Sequence, residues 1–302
     1  MGIFKDTIYV LNYIVTFGGS KELAKAKVRY ELLHGEYTKQ YDLAKHYQDE
    51  ITNNLNKLGL ALVKAKKAIS KSEKLLTCIH TKVNVSDIKR LELTTKIKNF
   101  NSGYSTALGA GFGGLIGGTA ALGAWALVSV LGSASTGTAI IGLSGVAATN
   151  ATLAWFGGGA LAAGGAGMSG GMMVLGGIVA APMIYFATKR TYAKADKINE
   201  QYKKLSEEHI KVLNSIPVLE KNMNQTRAVT TKIVNLIEQF CTDIDLRYEV
   251  MRPYGVFSIL YQKLKKLLRF NPLIKTQVKV LLEIEELTYS FLNAFSKVNQ
   301  DN

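Results

Sequence analysis

Few residues in this chain have types and spacings that could do covalent chemistry. Gly167-Met168-Ser169-Gly170-Gly171 has the GxSxG form of a nucleophile elbow. That device needs a strand-to-helix turn with a histidine and an acid in reach, and the surrounding sequence supplies neither. His34, His46, His80 and His209 are scattered, and no phosphate-binding loop, HExxH or metal-ligand spacing occurs. Cys78 and Cys241 have no CxxC partner and read as buried free thiols. His209 falls on an apolar seam, where a packed histidine is the simplest reading and protonation would loosen the packing. The expectation is a protein without catalytic residues, metal or cofactor.

What the spacing does support is contact chemistry between helices and with lipid. Gly109, Gly113, Gly117 and Ala121 repeat every four residues, as do Gly114 and Gly118, and later Gly159, Ala163, Gly167 and Gly171. Such small-xxx-small stripes let helices approach closely, and in lipid the backbone is forced to satisfy itself. In water each helical glycine costs about 0.8–1 kcal/mol against alanine, so these stripes are poor autonomous helices.

The stripes lie in an unusual stretch. From Asn99 to Thr188 the chain holds no Asp, Glu, Lys, Arg or His, and this stretch carries 22 of its 28 glycines. The whole chain of 302 residues has a formal net charge of +14, and both arms flanking the stretch are cationic. A cationic chain seeks phosphate, and the apolar stretch favours an anionic bilayer over nucleic acid. Lys96 and Lys98 on one flank, and Lys189 and Arg190 on the other, are placed for lipid headgroups. Trp125 and Trp155 are candidate interfacial anchors, with core packing as the alternative. Residues 259–270, with Lys263, Lys265, Lys266 and Arg269, read as a basic amphipathic helix suited either to lipid or to a solvated bundle.

Two apolar segments, 104–131 and 160–187, are long enough to span a membrane. About 28 helical residues reach about 42 Å, against a hydrocarbon core of about 30 Å. Like-signed flanks make an even number of crossings the expectation, hence a re-entering hairpin. Residues 136–141 and 172–179 leave a small β-tongue open as an alternative.

The arms must position this insert. Leu55, Leu58, Leu62, Ala65, Ile69, Ser72, Leu76, Ile79 and Val83 alternate spacings of three and four, as a heptad seam does. Tyr41, Leu43, Tyr47 and Ile51 extend it upstream. After the insert a longer seam runs from Ile198 through Leu205, His209, Val212, Leu219, Met223, Thr226, Thr230, Ile233, Ile237 and Phe240 to Ile244, with Pro217 expected to kink it. Ile274, Val278, Leu281, Thr288, Leu292 and Phe295 form a last stripe. The predicted fold is all-α: an elongated antiparallel helical bundle or coiled-coil stalk carrying an inserted glycine-rich helical hairpin. Its parts are an N-terminal arm (1–98), an insertion region (99–188) and a C-terminal arm (189–302). Residues 8–17 are apolar but lack a basic preceding region and a clean cleavage site, so no cleaved secretory leader is expected.

The runs Gly137 to Gly145, Ala147 to Gly159 and Gly176 to Pro182 resemble a glycine-zipper hydrophobic module of bacterial proteins of unassigned activity. Stalk plus apolar insert also resembles the architecture of the cytolysin A family of α-helical pore-forming toxins, including the hemolysin BL type. That resemblance implies a soluble form that inserts into a membrane and homo-oligomerises into a pore; it carries over no individual residue. The alternative is a coiled-coil scaffold constitutively anchored in a membrane, without pore activity.

Overall fold

The computed structural model describes residues 19–77, 87–110, 118–131, 143, 145–159, 162, 164–176, 195–251 and 275–297. These form seven helices and no strand: α1 (Gly19–Thr77), α2 (Asp87–Ala110), α3 (Gly118–Leu131), α4 (Gly145–Phe156), α5 (Gly167–Gly176), α6 (Ala195–Met251) and α7 (Lys275–Lys297). The all-α expectation holds for the described residues. Residues 172–176, offered as part of a β-tongue, are helical.

The chain divides into two compact units, one drawn from residues 1–49 and 177–222, the other from 50–176 and 223–302. This division cuts across the three-part reading of the sequence. Helices α3, α4 and α5 fall in the second unit, with the second halves of both long helices.

In the first unit α1 buries Ala26, Tyr30, Tyr37 and Ala44, and α6 buries Ile198, Leu205, Val212 and Leu219. The intervals of four and seven on α1, and of seven on α6, are those of a packed helical seam. The upstream extension of the α1 seam is corrected at Leu43, which is 38% exposed; Ala44 and Gln48 take the inward positions. His209 meets the Tyr37 ring edge-on at 6.4 Å between centroids. Helix α6 continues unbroken through Pro217.

The second unit is a bundle in which every seam residue expected from Leu55 to Ser72 is buried, as are those of α6 from Met223 to Ile244. Glu50 pairs with Arg227 at 3.0 Å and Lys71 with Asp245 at 2.5 Å. Contacts thus advance together along α1 and α6, so the two arms run parallel here. The antiparallel arrangement of the arms is corrected. The sequence pattern fixes which face is buried, but not direction, and the return passes are made by other helices. Helix α7 turns back along α6, with Arg247 on Glu283 at 3.2 Å and Phe240 stacked on Phe291 at 4.1 Å. Helix α2 runs beside α7 in the same sense, through Arg90–Glu285, Tyr289–Glu92 and Phe100–Phe295.

Helix α3 is the apolar centre of this unit. Ala120 through Ser129 are all buried. It packs backbone to backbone on α1, where Gly59 faces Thr119 and Gly123 faces Leu55; a Cβ on either glycine would collide with a main-chain carbonyl. Trp125 lies over Gly103 and meets Phe100 edge-on at 6.0 Å. Phe100 in turn meets Phe295, then Phe291 and Phe240, so one string of rings ties α3, α2, α7 and α6 together. Trp125 is 1% exposed, the core packing that was the alternative to an interfacial position.

The membrane-spanning hairpin is also overturned. No helix among the described residues is long and apolar enough to cross a membrane. The first proposed span, 104–131, ends one helix at Ala110 and starts another at Gly118; α3 has 14 residues, reaching about 21 Å, and is wrapped by its own bundle. Of the second, 160–187, residues 177–187 lie outside the described residues, and the described α5 covers Gly167–Gly176. The apolar residues of α3 leave water for a protein core. With the spans go the transmembrane, pore-forming and toxin readings that rested on them.

Candidate functional site

One element of the second unit buries its apolar side yet leaves an uncharged side in solvent. Helices α4 and α5 form a tight hairpin whose close approach depends on glycine. Gly157 packs against the Gly167 carbonyl and Gly171 against the Leu153 carbonyl, so α5 rides directly on the backbone at the end of α4. Residues larger than glycine would hold the two apart.

The connection is built by hydrogen bonds that need unusual backbone angles. Gly157 and Gly159 donate to Leu153 and Ala154 carbonyls at 3.0 and 2.9 Å, capping α4, and Ala166 donates back to Gly157 at 2.9 Å. Gly158 and Gly159 sit at φ of 83° and 115°, where L side chains are strained. Gly159 therefore lies in a turn, and the predicted helical stripe through Gly159, Ala163, Gly167 and Gly171 is broken at its first member. Gly167 and Gly171 do serve a helix contact, within the chain.

The inner side of the hairpin consists of Ala148, Thr152, Leu153, Phe156, Val174 and Leu175, each at most 7% exposed. The Thr152 hydroxyl donates to the Ala148 carbonyl at 2.7 Å, so no polar atom of that side chain is stranded. Trp155, half-buried, meets Phe156 edge-on at 5.1 Å. On the outer side Val146 is 74% exposed, Met168 45% and Met172 44%, among alanines and glycines. Met168 and Met172 are one turn apart on the same face. No residue of the hairpin is ionisable.

The GxSxG serine belongs to this hairpin and has no catalytic setting. Ser169 is exposed in the first turn of α5, and its hydroxyl donates to the Ala166 carbonyl at 2.9 Å. No base lies on the hairpin to take its proton. No group of histidines, cysteines and carboxylates that would hold a metal occurs among the described residues.

The other expected contact residues scatter. Gly118 is exposed at the start of α3 with open space around it, whereas Ala121 is fully buried. Gly109 lies in the last turn of α2. Lys96 pairs with Glu92 at 3.3 Å and lies 5.7 Å from the Tyr289 ring centroid, so it is engaged by α2 and α7; Lys98 is exposed. Gly113, Gly114, Gly117, Ala163, Lys189, Arg190, Lys263, Lys265, Lys266 and Arg269 lie outside the described residues.

Sequence reasoning passed over Gly59, Gly103, Gly123 and Gly157, each of which meets a backbone or a tryptophan ring. Gly59 was legible as a small residue beside the Leu58 seam position. It passed over Val146, Met168 and Met172 as well, because a uniformly apolar stretch does not show which of its side chains face out. No protein-family model, curated protein or solved structure matches the chain.

Proposed function

We propose that this is a non-enzymatic helical protein that docks on an anionic membrane surface through the α4–α5 hairpin, which seats in the interfacial layer without crossing it. One observation carries this reading: an exposed helical hairpin bearing Val146, Met168 and Met172 and no ionisable residue, in a chain of net charge +14. Water-facing surfaces ordinarily intersperse charges, and an uncharged apolar surface marks a contact. Cationic arms would be drawn to acidic headgroups, while short uncharged helices and a half-buried tryptophan suit the boundary between headgroup and acyl chain.

Vesicle flotation tests this. The protein should float with vesicles containing phosphatidylglycerol, less with phosphatidylcholine alone, and progressively less as salt is raised. Replacing Val146, Met168 and Met172 together by Asp should abolish flotation without lowering the unfolding midpoint, because all three side chains are exposed. Unaltered flotation of that variant would refute the assignment, as would failure of the parent to bind any vesicle.

A further inference from the structure

Within the second unit the seam between α1 and α6 repeats every seven residues, with Ile51, Leu58 and Ala65 buried on one helix and Thr226, Ile233 and Phe240 on the other. A seam of this period packs nearly as well after a slip of one heptad. No short turn prevents such a slip, because α2 to α5 lie between the two helices in the chain. The Glu50–Arg227 and Lys71–Asp245 pairs reach solvent and discriminate only weakly between registers.

Polar side chains interrupt the seam in one place. Asn54 lies one turn beyond Glu50 on α1 and Thr230 one turn beyond Arg227 on α6, so the Glu50–Arg227 pair sets them at the same height. Thr226 lies one turn before Thr230. Asn54, Thr230 and Thr226 are 8%, 4% and 0% exposed. The Asn54 amide nitrogen and both threonine hydroxyls have no hydrogen-bond partner among the described residues. Other buried threonines behave differently: Thr152 and Thr288 each donate to the carbonyl four residues back, at 2.7 Å. Three buried polar groups without partners lower stability, and apolar side chains of similar shape would pack the seam better.

We infer that Asn54, Thr226 and Thr230 form a polar layer that holds α1 and α6 in a single register. In the native pairing an amide and two hydroxyls lie within one turn of each other, where a trapped water can serve all three. Slipped by a heptad, Asn54 would lie level with Met223 or Ile237, and its amide would be buried against apolar side chains. The layer thus weakens the correct pairing and penalises the wrong ones more. It is independent of the membrane reading and uses none of the hairpin residues.

Cysteine cross-linking with diamide tests the inference, in the full chain with Cys78 and Cys241 replaced by serine. Glu50→Cys with Arg227→Cys reports the native register, and Glu50→Cys with Val234→Cys reports a slip of one heptad. In the parent only the first pair should form a disulfide. Asn54→Leu with Thr226→Val and Thr230→Val should raise the urea midpoint and increase the yield of the slipped pair about tenfold or more. Should Asn54→Leu prevent folding, the two valine substitutions alone, which keep the side-chain shape, should still raise the slipped yield. A slipped yield unchanged by these substitutions would overturn the inference, as would ready cross-linking of both pairs in the parent.

Discussion

Glycine does opposite things at different positions of this chain, and single substitutions should expose the difference. At Gly123 an added methyl would strike the Leu55 carbonyl, and at Gly59 the Thr119 carbonyl. Gly123→Ala should cost about 1–3 kcal/mol in urea unfolding, because overpacking outweighs the gain of about 1 kcal/mol in helix propensity. Gly35, on α1 with open space around it, should do the reverse: Gly35→Ala should stabilise by about 0.4–1 kcal/mol. Cys241 gives a pH-dependent prediction. Burial, assisted by the Asp245 carboxylate and opposed by Lys64 and Lys71, raises its thiol above the ordinary range. A raised folded-state pKa keeps the thiol neutral, so its contribution to stability is present at neutral pH and lost as pH rises through the folded value. In a Cys78→Ser background, alkylation at pH 8 should be slower in the folded protein than in urea. At this scale the sequence was least legible. Trp125 and Trp155 look alike as letters, and only packing on Gly103 and Phe100 separates a core ring from a peripheral one.

Individual helices were the most legible level, because heptad spacing is a direct record of burial. Leu55, Leu58, Leu62, Ala65 and Ile69 are all fully buried, as are Ile233, Ile237 and Ile244. Direction was not legible: a stripe on α1 fits a partner running either way, and the ion pairs Glu50–Arg227 and Lys71–Asp245 show the parallel sense only in three dimensions. Pro217 tests an element directly. Lying inside continuous α6 and exposed, it deprives the helix of a backbone donor without filling any core space. Pro217→Ala should therefore raise stability by about 1–3 kcal/mol, measured as a shift in urea midpoint at constant slope. A loss of stability would mean that the proline shapes a contact rather than merely interrupting a ladder.

For the molecule as a whole, the described parts of the charge-free stretch from Asn99 to Thr188 have two different fates. Part of that stretch, α3, is the bundle's own core; another part, α4 with α5, is packed on one side only. The distinction rests on Gly59 and Gly123, which admit α3 against α1, and on the turn at Gly158 and Gly159, which folds the hairpin on itself. The proposed role of this hairpin is shallow seating in an anionic bilayer. Trp125 and Trp155 are the chain's two tryptophans, so a Trp125→Phe chain reports on the hairpin alone. Its Trp155 emission should shift to the blue on phosphatidylglycerol vesicles and be quenched more by lipids brominated near the headgroup than by lipids brominated near the bilayer centre. Unchanged emission on every vesicle, or stronger quenching from the centre, would contradict it.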